Sequence, residues 1–139
     1  KDNIKNSGLD GDGPNAPVVT VNGDLAINTV YNGALVLLNE LEDPADNITA
    51  EVQAEAEEHQ FFFSATNNIG TIAYTDTDAN NNPVGLAFSL TTTAAATGNL
   101  TITLRHEPNK SASGVSVGDI TNAGGETDIE VTFTGVNVQ

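Results

Sequence analysis

Leu100-Thr101-Ile102-Thr103-Leu104-Arg105-His106 alternates apolar and polar side chains without a break, and a period of two is the mark of a strand that buries one face. Leu100, Ile102, Leu104 and His106 share that face, which leaves Arg105 and Glu107 on the other side. Outward from this stretch the chain repeats the same grammar: short runs of Val, Thr, Ile and Phe separated by Gly, Asn, Asp and Pro. The runs fall near 18–21, 29–38, 61–65, 70–75, 84–92, 99–106 and 128–138. About seven strands of this kind predict a mainly β protein, an Ig-like antiparallel β-sandwich.

One segment breaks the pattern. After Asp43-Pro44, which supplies an N-cap and a first-turn proline, an Ala/Glu/Gln-rich stretch runs to Gln60 without Gly or further Pro. It reads as an inserted amphipathic helix over about 45–58. Ile48, Val52, Ala56 and His59 recur at helical spacing, so His59 sits on the stripe a helix turns inward. Glu55, Glu57 and Glu58 crowd like charge at the helix C-terminus, where the macrodipole disfavours anions.

At 139 residues the chain has room for one domain with a real core, spanning 1–139, with 1–15 an extended, acidic, loop-rich N-terminal segment. The stretch 108–127 is rich in Ser, Gly and Asn and reads as a mobile surface loop. Nineteen acidic residues oppose four basic ones for a formal charge of -15. So few cations cannot neutralise a phosphate backbone, which argues against nucleic acid as a partner. Cysteine is absent, so disulfides, thiolate catalysis and Cys-based metal sites are excluded. No stretch approaches the roughly 20 apolar residues of a membrane helix, and no transmembrane segment is expected. The start at Lys1, the low Lys and the abundant Thr, Asn and Gly fit an exported, mature or trimmed chain, at the cell envelope, the outer surface or outside the cell.

The two histidines carry the chemistry. Glu55 and His59 lie four apart, and His106 faces inward from its strand, so His59, His106, Glu55 and Glu58 form a candidate transition-metal site suited to a divalent ion such as Zn²⁺ or Cu²⁺. Plain capping by His59 and local hydrogen bonding by His106 are the competing reading of the same residues. A second candidate is Asp76-Thr-Asp78-Ala-Asn80-Asn-Asn82, with oxygen ligands at alternate positions of a turn as in Ca²⁺ loops. A full EF-hand is excluded, because Asn81 and Ala87 stand where Gly and Glu are needed. Asp10 and Asp12, in Asp10-Gly-Asp12-Gly, form a shorter Ca²⁺ candidate. Enzymatic chemistry is not expected: no nucleophile elbow frames a serine, and the absence of Trp leaves few sugar-stacking platforms. A metal hydrolase using Glu57 or Glu58 as base is the residual enzymatic reading.

Three segments, Glu57-Glu-His-Gln-Phe-Phe-Phe-Ser64, Leu104-Arg-His-Glu-Pro-Asn-Lys110 and Gly125-Glu-Thr-Asp-Ile-Glu-Val-Thr-Phe133, resemble a group of small cell-envelope lipoproteins of Bacteroidota-type bacteria, often labelled "type 1 periplasmic binding fold superfamily protein". The likeness runs from Asp10 to the C-terminus and includes the Asp-x-Asp-x-Asn turn. That label conflicts with the β-rich pattern of this chain. What the resemblance implies is an envelope location and a role beside an outer-membrane transporter. Its members carry a lipoprotein signal, an acidic linker and a further strand before the Asp-Gly-Asp-Gly segment, whereas this chain starts with Lys1-Asp-Asn-Ile. What the resemblance implies at this end is a first strand either missing or supplied by a neighbour. Both histidines lie inside the shared segments.

Two functions compete on these grounds. One is an envelope binding module that captures a metal ion and serves a transporter. The other is a Ca²⁺-stabilised structural subunit of a surface or filament, self-assembling through unpaired sheet edges.

Overall fold

The structure, a computed structural model, describes residues 4–7, 18–39 and 46–139; the expected cap at Asp43-Pro44 and the Ca²⁺ candidates Asp10 and Asp12 lie outside the described residues. In chain order the strands are β1 (Ile4–Ser7), β2 (Val18–Val21), β3 (Val30–Ala34), β4 (Leu38–Asn39), β5 (Asp46–Asn47), β6 (His59–Ala65), β7 (Thr71–Tyr74), β8 (Ala87–Thr91), β9 (Ala96–His106) and β10 (Glu126–Val138). One α-helix, α1 (Ile48–Ala54), separates β5 from β6.

The protein is mainly β, and two antiparallel three-stranded sheets dominate it, ordered β10-β9-β6 and β3-β8-β7. Their facing sides share one apolar interior, as a sandwich-like arrangement requires. Ile69, Leu90, Leu100, Phe133 and Val138 are all buried there. Phe63 of β6 bridges the sheets, with its ring 4.7 Å from Phe88 and edge-on to Tyr74 at 6.1 Å. The alternation that announced β9 holds for its leucines, Leu100 and Leu104 each being 2% exposed, whereas Thr103 on the opposite face is buried as well.

The two main sheets hold six strands rather than the seven expected. The 18–21 run pairs with β1 outside them. The 29–38 run ends as a strand at Ala34: Leu35, whose amide still donates to the Leu86 carbonyl at 2.8 Å, and Leu37 pack with Ile48 and Val52 of α1, and the Leu37 amide donates to Thr49 Oγ1 at 2.7 Å. An amphipathic helix needs an apolar lid, and the broken strand is that lid.

The helix is also shorter than its 45–58 expectation. Asn47 caps it, its side chain accepting from the Ala50 amide. It stops at Ala54, and a tighter 3₁₀ turn, Ala56–Glu58, carries the chain into β6. Unfavourable carboxylates at the helix C-terminus fit this early stop.

β6 opens with four buried residues in succession, His59, Gln60, Phe61 and Phe62, so both of its faces are covered. Phe61 enters the interior beside Leu37, Val52, Val84 and Leu104. Phe62 points the other way, onto Val115 and Ala123. The 108–127 stretch expected to be a mobile loop is therefore a cover: it forms 3₁₀ turns at Val115–Val117 and Ile120–Asn122, and Val115 is 0% exposed. Gln60 ties it down by donating through Nε2 to the Val115 carbonyl at 2.8 Å and to Tyr74 Oη at 3.0 Å. Among the described residues no helix is long and apolar enough to cross a membrane.

Candidate metal centre

Register brings the histidines together. His59 is the first residue of β6, His106 is the last of β9, and they are direct cross-strand partners. Antiparallel partners on one face stand close enough for rings to meet, and these stack with centroids 4.9 Å apart and planes 11° from parallel. His59 reaches its inward position as a strand residue, not as the end of the helix stripe that sequence periodicity assigned to it.

Stacking also redirects the expected chemistry. An imidazole binds metal along a lone pair in the plane of its ring. Two near-parallel rings send their lone pairs along separate lines, so joint ligation of one ion by His59 and His106 is not what this geometry offers. The Glu55 carboxylate also fails to join. It is the Glu55 carbonyl that meets His59, 3.0 Å from Nδ1.

The ligand atoms that do converge are those of Glu58, His106 and Glu107, all within 4.8 Å of one another, with Glu58 and Glu107 exposed and His106 half-buried. Glu58 Oε1 stands 3.8 Å from His106 Nε2. Glu58 belongs to the expected site; Glu107 does not, because strand alternation placed it on the opposite face. The strand ends at His106, and Glu107 turns into the left-handed region at φ 56°. Its amide donates to the Glu58 carbonyl at 2.6 Å, which pins the two glutamates beside each other. Gly125 makes room for this turn, since a Cβ there would collide with the His106 carbonyl oxygen. A Glu-Pro pair closing a strand signals a turn, but its hand is not readable.

On the far side of the histidine pair, Asp128 Oδ2 lies 3.9 Å from His59 Nε2. The β10–β9 register pairs Thr127 with Arg105 and Ile129 with Leu104, leaving Asp128 as the extra residue of a bulge. Bulges re-aim side chains in this way, often next to functional sites. Simple alternation cannot foresee one.

The Asx-rich turn does something else with its carboxylates. Asp76 Oδ1 accepts from the Gly85 amide, and its Oδ2 accepts from the amides of Leu86 and Ala87. Asp78 Oδ1 accepts from the amides of Asn80 and Asn82, and its Oδ2 from Lys110 Nζ at 2.9 Å. Lys110 is buried and also donates to the carbonyls of Ala56 and Pro83. At Asp78 the role that spacing assigned to Ca²⁺ is taken by the ammonium of Lys110, while Asn80 and Asn82 serve through their backbone. Burial alone would raise the Asp78 pKa, but hydrogen bonds from Lys110, Asn82 and Asn80, with the charge of Lys110, hold it below its ordinary value.

Comparison of the chain with protein-family models, with curated proteins and with solved structures gives no match.

Proposed function

We propose that this chain is a metal-binding module of the cell envelope, holding a divalent transition-metal ion through Glu58, His106 and Glu107. The observation that carries the reading is the convergence of one imidazole nitrogen and two carboxylate oxygens within 4.8 Å at the open end of a sheet. Zn–N bonds of about 2.0–2.1 Å and Zn–O bonds of about 2.0–2.2 Å place ligand atoms about 3.4 Å apart at a tetrahedral angle, a spacing that this group approaches. Mixed nitrogen and oxygen ligands suit Zn²⁺ or Cu²⁺, and three protein ligands leave a position open for water or a recipient group. An exposed site with an open position favours transient capture over permanent structural binding. The envelope setting, and service to an outer-membrane transporter, rest on the family resemblance of the histidine-bearing segments. An Ig-like sandwich is the finer reading of the two sheets, with α1 inserted beside them.

The test is calorimetric titration of the protein with Zn²⁺ and with Cu²⁺, repeated on His106→Ala and Glu107→Gln. Binding that weakens by at least about tenfold in both variants supports the site, since even outer-shell changes cost a metal centre this much. Equal affinity in wild type and both variants sinks it.

A further inference from the structure

We infer that the buried imidazole of His59 and the bulge carboxylate of Asp128 form a second cation position beside the first. This extends the proposed metal reading but rests on different residues, so the two can fail separately.

The argument begins with a proton. The Glu55 carbonyl, 3.0 Å from His59 Nδ1, can only accept a hydrogen bond, so Nδ1 carries the hydrogen. In the neutral ring Nε2 is then a lone pair, and it faces the Asp128 carboxylate at 3.9 Å. Two acceptors confront each other across a gap too wide for a direct hydrogen bond, which spans about 2.7–3.2 Å. A cation between them resolves the conflict. Bonds of about 2.0–2.2 Å to each atom separate nitrogen from oxygen by about 3.4 Å at a tetrahedral angle and about 4.2 Å when linear. The observed distance lies inside that range.

Burial and charge agree. The His59 side chain is only 9% exposed while that of Asp128 is 40% exposed, so an ion enters from the Asp128 side onto a preformed nitrogen. His59 and His106 present the same motif twice, an Nε2 facing a carboxylate at 3.9 Å and at 3.8 Å, on two rings stacked 4.9 Å apart. Among the described basic side chains, Arg105 donates through Nη1 to the Gly124 carbonyl and Lys110 through Nζ to Asp78. The chemistry fits imidazole-seeking divalent ions, with Cu²⁺ and Zn²⁺ the strongest candidates. Two adjacent ions would make this end of the protein a paired centre rather than a single site.

The experiment counts Zn²⁺ ions bound to the full chain by equilibrium dialysis, and follows the ring nitrogens of both histidines by NMR. The expected result is two ions per chain, with both Nε2 resonances moving. Asp128→Asn, a near-isosteric change on an exposed bulge, loses one ion and leaves the His59 nitrogen unmoved while that of His106 still responds. His106→Ala loses the other ion and spares the His59 response. One ion in the wild type, or two ions retained by Asp128→Asn, overturns the second position. No ion and no shift at either ring overturns both it and the first site.

Discussion

The Asp76–Asp78 turn and the histidine end both gather carboxylates, and the structure treats them in opposite ways. In the turn every Asp76 and Asp78 oxygen is bound to an amide or to Lys110. At the histidine end Glu58 and Glu107 are exposed, and the nearest nitrogen of His106 stands beyond hydrogen-bond reach. A buried carboxylate must be neutralised where it sits, because leaving it unpaired costs several kcal/mol. A solvated one can wait for a ligand. The lesson is that carboxylate density locates neither role; burial and the company of an internal cation separate them.

The largest effect that can break this contrast is at Lys110. Replacing it by Met strands the Asp78 charge and two carbonyls, and should lower stability by about 3–5 kcal/mol out of a total of roughly 5–15 kcal/mol for a domain; urea unfolding measures it. A loss under about 1 kcal/mol would mean the pair behaves like a surface ion pair and the contrast is void.

Acid should act at the same place. The Asp78 pKa is lowered in the folded state, so its stabilisation is complete above the unfolded carboxylate range near about 4. It disappears as pH falls through the lower folded value. Unfolding followed against pH should show this acid limb in the wild type and a shallower one in Asp78→Asn. Identical limbs would remove Asp78 from the account.

The histidine end should give the reverse pattern. Glu58→Gln should weaken Zn²⁺ binding by at least about tenfold while unfolding midpoints without metal stay within about 0.5 kcal/mol of wild type. Large destabilisation without metal would show that the end is structural, like the turn. The smallest effect is the most discriminating. Glu107→Gly suits the left-handed backbone at φ 56°, so stability should hold or rise by up to about 1 kcal/mol, while metal affinity falls. A variant that binds as tightly as wild type would remove Glu107 from the site.

Legibility from sequence followed the same division. β9 was readable because its leucines alternate with polar residues over a full strand, and β2, β7 and β10 declared themselves through Val, Ile and Thr between turn residues. The helix could be located but not bounded: Glu55, Glu57 and Glu58 favour helix individually yet oppose its C-terminal dipole together. His59 was placed on the correct side for the wrong reason, since a helix stripe and a strand face both turn it inward. Glu107 and Asp128 escaped because a left-handed turn and a bulge each break the period of two on which the reading relied. The 108–127 cover looked like a free loop because its few apolar residues, Val115, Val117 and Ile120 among them, are scattered without a period among small polar ones. Its burial depends on a distant partner, the Phe62 ring on the outer face of β6, which packs on Val115 and Ala123, and on Gln60, which donates to the Val115 carbonyl.

The sequence by itself determined the β class, the rough position of one helix, the excess of acidic residues and the inward phase of two histidines. These follow from composition and local period, which short-range sterics and hydrophobic burial impose on any chain. Only the tertiary structure decided that the imidazoles stack, that Glu58 and Glu107 rather than Glu55 accompany His106, and that Lys110 takes the place assigned to Ca²⁺. Those outcomes depend on strand register, on a bulge and on which buried charge found a partner. They join residues as far apart as Asp78 and Lys110, and no local pattern encodes them.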